Sequence, residues 1–168
     1  LKRLGLAAGD VVIVHSSMKS LGRVRGGPAT VIRALQRTVT RRGVVMMPTF
    51  SYNFEKVYAP TEPFRRDTSP SQTGLLSETF RRSPDVVRSG HPTHSVAAWG
   101  RGAEDLTRGH EDLSGLAEDS PFHRAARRGA KACLIGCDFT AFSLVHVAEE
   151  IAHAPYLSLF IWAHAGWK

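Results

Sequence analysis

His146 and Glu149 stand three residues apart in a stretch with a helical pattern, Ser143 to Ile151, and Glu150 and His153 repeat the spacing in reverse. Residues at that separation share one helical face. The first pair suits a histidine base whose tautomer and basicity are set by a carboxylate. Glu150-x-x-His153 also matches the carboxylate-histidine pattern of di-metal bundles, which needs further carboxylates on other helices. No matching copy occurs elsewhere in the chain. A surface helix strengthened by charge pairs is the third reading.

Other polar groups gather at the ends of apolar runs. Arg88-Ser89-Gly90-His91-Pro92-Thr93-His94-Ser95 places two histidines and several hydroxyls in a turn leading into Val96-Ala97-Ala98. Such a loop either carries binding groups or satisfies its own backbone. Asp67-Thr68-Ser69-Pro70-Ser71-Gln72-Thr73-Gly74 reads as a helix start with hydroxyl caps. Ser114-Gly115 and Glu118-Asp119-Ser120-Pro121-Phe122 read as another capped start, whose acidic pair could also meet a cationic ligand.

A different chemistry is expected nearer the amino terminus. Val11 to Val14 reads as a buried strand that breaks into Ser16 and Ser17, then a glycine turn, then Gly26-Gly27-Pro28 opening a helical pattern. This arrangement aims backbone N–H groups at an anion and lets a ligand approach closely over glycine. Lys19, Arg23 and Arg25 add positive charge, so the segment predicts a phosphate-bearing ligand. Cys133 and Cys137 form a C-x3-C pair without a second pair to complete a zinc site, and read as ordinary buried thiols.

The elements that must position these groups follow an α/β order. Strands are expected at Val11 to His15, Val44 to Met47 and Ser95 to Trp99, with a final core strand at Lys131 to Gly136. Helices are expected from Gly27 to about Val39, from Leu75 to Arg82 and from Ser143 to Ile151. Pro28 suits a first helical turn, and Val31, Ile32, Leu35 and Val39 lie near helical spacing. Ser51 to Thr73 reads as a long irregular stretch, a length that is usually functional or disordered. Glu111 to Glu118 reads as a polar loop, and Leu157 to Trp162 is apolar. Neither repeats nor linkers divide the chain, so residues 1–168 are expected to form a single domain.

With 168 residues and 42% hydrophobic content, a sizeable core is within reach. No apolar run approaches the roughly 18 residues of a membrane span, and the basic start is a poor signal peptide because Gly9-Asp10 interrupts the apolar stretch. A cytoplasmic location follows by default. The formal charge of +7 raises nucleic acid as a partner. The arginine doublets are dispersed, however, and no aromatic platform accompanies them. Attraction for a polyanionic cofactor explains the charge equally well.

Taken in order, these segments resemble the aminoglycoside 3-N-acetyltransferase family, the antibiotic N-acetyltransferases distinct from the GNAT fold. The resemblance rests on Gly9-Asp10, His15-Ser16-Ser17 with Leu21-Gly22-x-Val24-x-Gly26-Gly27, and Met47-Pro48-Thr49-Phe50. It continues through Ser69 to Gly74, Arg88-Ser89-x-His91-Pro92-x-x-Ser95, Gly100, Ser120-Pro121, Leu134-x-Gly136 and His146-x-Ala148-Glu149, where Val145 replaces the family's leucine. It spans about residues 9 to 156 and ends after Pro155-Tyr156, so the C-terminal part of the family fold is expected to be missing.

The resemblance implies a layered α/β/α sandwich around a central mixed sheet. It also implies acetyl transfer from acetyl-CoA, as co-substrate, to an amine of the 2-deoxystreptamine ring of an aminoglycoside, conferring antibiotic resistance. A same-fold acetyltransferase acting on another amine, or a non-catalytic CoA-binding remnant, are the alternatives. The family's catalytic histidine maps to His146, with Glu149 fixing its tautomer. CoA would be held by His15, Ser16, Ser17, Leu21, Gly22, Val24, Gly26 and Gly27. Thr73 and Ser95 are the candidate donors to the tetrahedral oxyanion. A negatively charged acceptor cleft is expected for a polycationic substrate. Metal, nucleic acid and membrane are not expected, and self-association into a homo-oligomer stays open.

Overall fold

Alternation along the apolar strands dictates the layers, because successive side chains of a strand point to opposite faces. Val12 and Val14 of strand β1 (Val11–Ser16) join one core cluster and Ile13 the other. Strands β2 (Val44–Pro48) and β4 (Val96–Gly100) divide likewise, Val45, Met47, Ala97 and Trp99 against Val44, Met46, Val96 and Ala98. The protein is described here by a computed structural model covering residues 1–51 and 63–159.

With β3 (Val86–Arg88) and β5 (Lys131–Ile135) the sheet has, among the described residues, five strands in the order β3-β4-β2-β1-β5. β1 runs parallel to both β2 and β5, while β4 is antiparallel to β2 and β3. Helices α1 (Gly27–Val39) and α2 (Leu75–Arg81) cover one face through Ile32, Leu35, Val39, Leu76 and Phe80. Helices α3 (Ala103–Thr107), α4 (Pro121–Arg127) and α5 (Leu144–Ile151) cover the other through Ala103, Leu106, Phe122, Ala125 and Val147. The result is the α/β/α sandwich around a mixed sheet that the sequence led us to expect.

Several local expectations need correction. β3 and α3, three and five residues long, were not anticipated, since elements that short hold too few residues to show a period. Among the described residues the final strand β5 stands at the edge of the sheet, and its residues are not core. Lys131 and Ala132 are exposed and the remaining three residues half-buried, with β1 pairing it on one side. The hydroxyls before α2 do not cap it. Gly74 is the N-cap residue, and Thr73 Oγ1 donates instead to Pro48 O at 2.6 Å. Glu78 reaches back from the first turn to accept from Ser71 N at 2.7 Å. Ser120 does cap α4, its hydroxyl accepting from His123 N at 3.4 Å. Within the irregular stretch, residues 52–62 lie outside the described residues, as do residues 160–168 at the end of the chain. Among the described residues no helix is long and apolar enough to cross a membrane.

The junction of β2 and β4 leaves no room for a side chain. Gly100 sits at φ +108°, and a Cβ there would stand 2.1 Å from the carbonyl oxygen of Gly43. Both opposing groups are backbone in a paired ladder, so neither can yield. Gly129, at φ +70°, has nothing within 4 Å and isolates the backbone cost alone. We expect Gly129→Ala to cost about 1–2 kcal/mol in urea unfolding, and Gly100→Ala about 3 kcal/mol or more from strain and overpacking together. Equal midpoints for the two variants would contradict this packing.

Candidate active site

The chain leaves β1 through α1 on one face to reach β2, whereas β5 follows α4 on the opposite face and pairs with the other edge of β1. Reversal of strand order opens a crevice at the carboxyl ends of parallel strands, where ligands of α/β sheets bind. Two cavities open there, and Ser16, the last residue of β1, lines both.

The larger cavity, about 570 Å³, lies on the α1 side and is walled by Ser16, Ser17, Lys19, Gly22, Val24 and Gly27 among others. Its loop is shaped by positive φ at Gly22, Gly26 and Gly27 (+68°, +79° and +60°). Ser17 N donates to Ile135 O at 2.9 Å, tying the loop to β5. No side chain caps the amino terminus of α1; Gly27 N donates to Val24 O at 2.9 Å and Pro28 has no N–H. Of the residues expected to hold CoA, Leu21 and Gly26 shape the loop without lining this cavity, and His15 lies in the other one. Leu21 instead packs beside Gly136.

The second cavity, about 320 Å³, lies on the α4–α5 side. Its wall includes His15, Ser16, Phe50, Thr73, His94, Leu116, Ser143 and His146. His146 Nδ1 is 2.7 Å from Glu149 Oε2, and Tyr156 donates its hydroxyl to Glu149 Oε1 at 2.7 Å. The hydrogen bonds from His146 and Tyr156 hold the Glu149 carboxyl below its usual pKa. An ionised carboxylate on Nδ1 fixes the proton there and makes Nε2 the basic nitrogen. Tyr156 was not foreseen. It stands seven residues beyond Glu149, past the end of α5, where helical spacing has no meaning. Glu150 and His153 are not gathered with further ligands, and among the described residues no group of three or more His, Cys, Asp or Glu could hold a metal. Cys133 and Cys137 are free thiols, only partly buried, with burial raising both pKa values.

Beneath this cavity lies a buried polar scaffold. Arg88 Nε donates to Ser95 Oγ at 3.0 Å and Thr49 Oγ1 at 3.2 Å, and its Nη2 to Thr49 O at 2.7 Å. Burial, then the neighbouring Arg81, pushes Arg88 down to about 10, so it remains charged at neutral pH. His110 donates Nε2–H to Gly115 O at 2.9 Å and accepts from Ser89 Oγ at 2.8 Å, while His91 Nδ1 accepts from His94 N at 2.9 Å. Ser95 belongs to this layer and not to the cavity wall. It is fully buried and its hydroxyl donates to Thr49 O at 2.7 Å. Thr73 does reach the wall, but its hydroxyl proton is directed at Pro48 O.

A family model described as aminoglycoside 3-N-acetyltransferase matches residues 13–160. The chain belongs to this family. The aminoglycoside N(3)-acetyltransferase III of Salmonella sp. is 35% identical over 170 residues, covering 92% of this chain and 59% of the relative. The chain therefore spans about 59% of the length of that relative. Among solved structures, AAC-IIIb in a binary complex with CoASH is similar at TM-score 0.80 and 32% identity, over 89% of this chain and 61% of the other. A histidine-to-alanine variant of aminoglycoside acetyltransferase AAC(3)-IVa in complex with apramycin is similar at TM-score 0.82 and 34% identity, over 93% and 61%.

Burial of the histidines has a consequence for acid stability. It pushes His15 and His91 down to about 4 and His94 and His110 to about 3, against about 6.5 for a solvated imidazole. Below pH 6.5 the unfolded chain takes up protons that the folded chain refuses. Their contribution is therefore complete above that pH and declines as pH falls from 6.5 toward 4. The carboxylates with lowered pKa lose their contribution only as pH falls into and below the ordinary carboxylate range, about 4 to 4.5, beneath the interval from pH 7 to pH 5. We expect the thermal midpoint to drop steadily between pH 7 and pH 5, with uptake on unfolding rising toward four protons for these four groups. Calorimetry across that range checks it, and a flat midpoint would refute the neutral, buried assignment.

Proposed function

We propose that this chain carries the acetyl-CoA side and the general base of an acetyltransferase that modifies an amine of the 2-deoxystreptamine ring of aminoglycosides, and so confers resistance to them. The observation that carries the reading is that His146, paired with Glu149, lines a cavity that meets the glycine-loop cavity at Ser16. The CoASH complex of one relative and the apramycin and gentamicin complexes of another support donor and acceptor.

In this reading the CoA phosphates lie against the glycine loop that leads into α1, with Lys19 and Arg23 on the same wall. The thioester passes Ser16 toward His146. A neutral amine attacks the carbonyl carbon, and His146 Nε2 takes its proton as the C–N bond forms. Glu149 stabilises the imidazolium. Collapse of the tetrahedral adduct breaks the C–S bond, and the proton passes to the departing thiolate, giving amide and CoA. His15 and His94, uncharged at neutral pH because burial holds them at about 4 and 3, add no positive charge against a polycationic acceptor. A cytoplasmic location accords with this dependence on acetyl-CoA.

Thiol release from acetyl-CoA over a panel of apramycin, gentamicin, tobramycin and unrelated amines tests the assignment. Release with an aminoglycoside is expected. Release only with unrelated amines would replace the acceptor, and CoA binding without turnover would overturn catalysis by this chain. We further expect His146→Ala to lower kcat about 10²–10⁴-fold, with CoA affinity by calorimetry nearly unchanged. Survival of activity in that variant would move the base elsewhere.

A further inference from the structure

His15 is the polar side chain that neither the scaffold nor the proposed base accounts for. It is 3% exposed near the end of β1, its ring stacked on Phe122 (6.2 Å between centroids, 21° between planes) and edge-on to Phe142 (5.9 Å, 69°). Nε2 is sealed from solvent and has no hydrogen-bond partner among the described residues. The neighbouring His91 and His110, by contrast, both use their rings in hydrogen bonds. Burying an imidazole among aromatic rings without such return costs stability that an apolar residue would not. Yet His15 lines the cavity that holds His146, one residue before the serine where the two cavities meet.

The tautomer follows from the burial. A neutral imidazole carries one N–H and one lone pair. An orphaned buried N–H is the rarer defect, so the proton belongs on Nδ1, and the sealed Nε2 keeps the lone pair. Burial holds the ring at about 4, which keeps it neutral and this arrangement fixed at working pH. The two hydroxyls expected to serve the oxyanion, Thr73 and Ser95, direct their protons at backbone carbonyls.

We propose that His15 is a catalytic residue of the acetyl transfer, its Nδ1–H donating to the thioester carbonyl oxygen as that oxygen becomes an oxyanion. This rests on the acetyl-transfer reading above. As the amine nitrogen bonds to the carbonyl carbon, the C=O π pair moves to oxygen and the Nδ1–H bond to it shortens. The pair returns when the C–S bond breaks, and His15 keeps its proton throughout. A preorganised neutral donor stabilises the developing charge without needing reorganisation.

Three variants test the role. Asn places an amide nitrogen near the Nδ1 position and Gln one near Nε2, while Phe preserves the aromatic packing with no donor. We expect His15→Phe to lose about 10²-fold or more in kcat, with KM for acetyl-CoA little changed. His15→Asn should recover a clear part of that loss and His15→Gln should not. Retention of kcat in His15→Phe, equal recovery by Gln, or a rise in KM alone would overturn the proposal. The last of these would make His15 a cofactor-binding residue only. Long-range ¹H–¹⁵N spectra of the unmodified chain provide a readout independent of turnover. They should show the protonated nitrogen at Nδ1, shifting on addition of a dethia ketone analogue of acetyl-CoA but not of CoA. A proton on Nε2, or no response to the ketone, refutes the role of His15. Absence of thiol release with every amine refutes the acetyl-transfer reading, and these spectra remain decisive for the donor.

Discussion

Parallel pairing on both edges of β1 is the constraint on which the site depends. Val12 to Ser16 register with Lys131 to Ile135 on one side, and Val11 to Ile13 with Val44 to Met46 on the other. Such a strand must be left and re-approached by crossovers, here with α1 on one face and α4 on the other. Neither crossover then covers the carboxyl end of β1, and a crevice forms there. The two-residue period of the strand does the rest. His15 falls on the α4–α5 face and lines one cavity, while Ser16 sits at the seam and lines both.

The crevice needs a floor that does not move, and a purely apolar floor would not specify where the loops above it lie. Arg88 joins the end of β2, the start of β4 and the segment before α2, donating to Thr49 O, Ser95 Oγ and Arg66 O at 2.7, 3.0 and 3.1 Å. A guanidinium suits the task because its five donors lie in one rigid plane and it stays charged even when burial lowers its pKa. The imidazoles of His91 and His110 do the same as neutral groups, His91 Nδ1 accepting from Thr93 N and His94 N in the turn after β3, and His110 using both nitrogens to join Ser89 to the segment near Gly115. Buried polar networks of this kind hold their geometry only when every member is paired. That rule makes the orphaned Nε2 of His15, in the cavity wall, conspicuous.

How much of this was legible in the sequence depended on length and on direction. β1, α1 and β2 were readable because long apolar runs and the spacing of Ile32, Leu35 and Val39 carry a period, and α1 ends at the residue expected. His146 and Glu149 were readable as a pair because helical geometry alone brings positions three apart together. The setting of Ser95 was not legible because a hydroxyl at a strand end looks the same whether it faces a cavity or a core. Only the packing of Arg88 against Thr49 decides that it faces inward. Gly100 looked like part of a motif, and its reason, contact with the Gly43 carbonyl across a ladder 57 positions away in sequence, depends on strand register. Tyr156 acts across the end of a helix, and no local period points to it.

Charge is where composition and site diverge most. The chain carries +7 overall, yet the wall around His146 holds imidazoles that burial keeps neutral and hydroxyls, without a lysine or arginine among its described lining residues. Lys19 and Arg23 stand instead on the wall of the glycine-loop cavity, on the other side of Ser16. The sheet thus separates a cationic compartment suited to phosphates from an uncharged one suited to an amine that must lose a proton. An amine near fixed cations is easier to deprotonate but harder to recruit, and for a polycation the second effect grows with every charge. Under the proposed acetyl transfer, placing the positive groups on the α1 face, with the β1 strand between, would let one short crevice attract a polyanionic donor without repelling a cationic acceptor. That division meets at Ser16, the strand residue both cavities share, one position after His15 on the other wall.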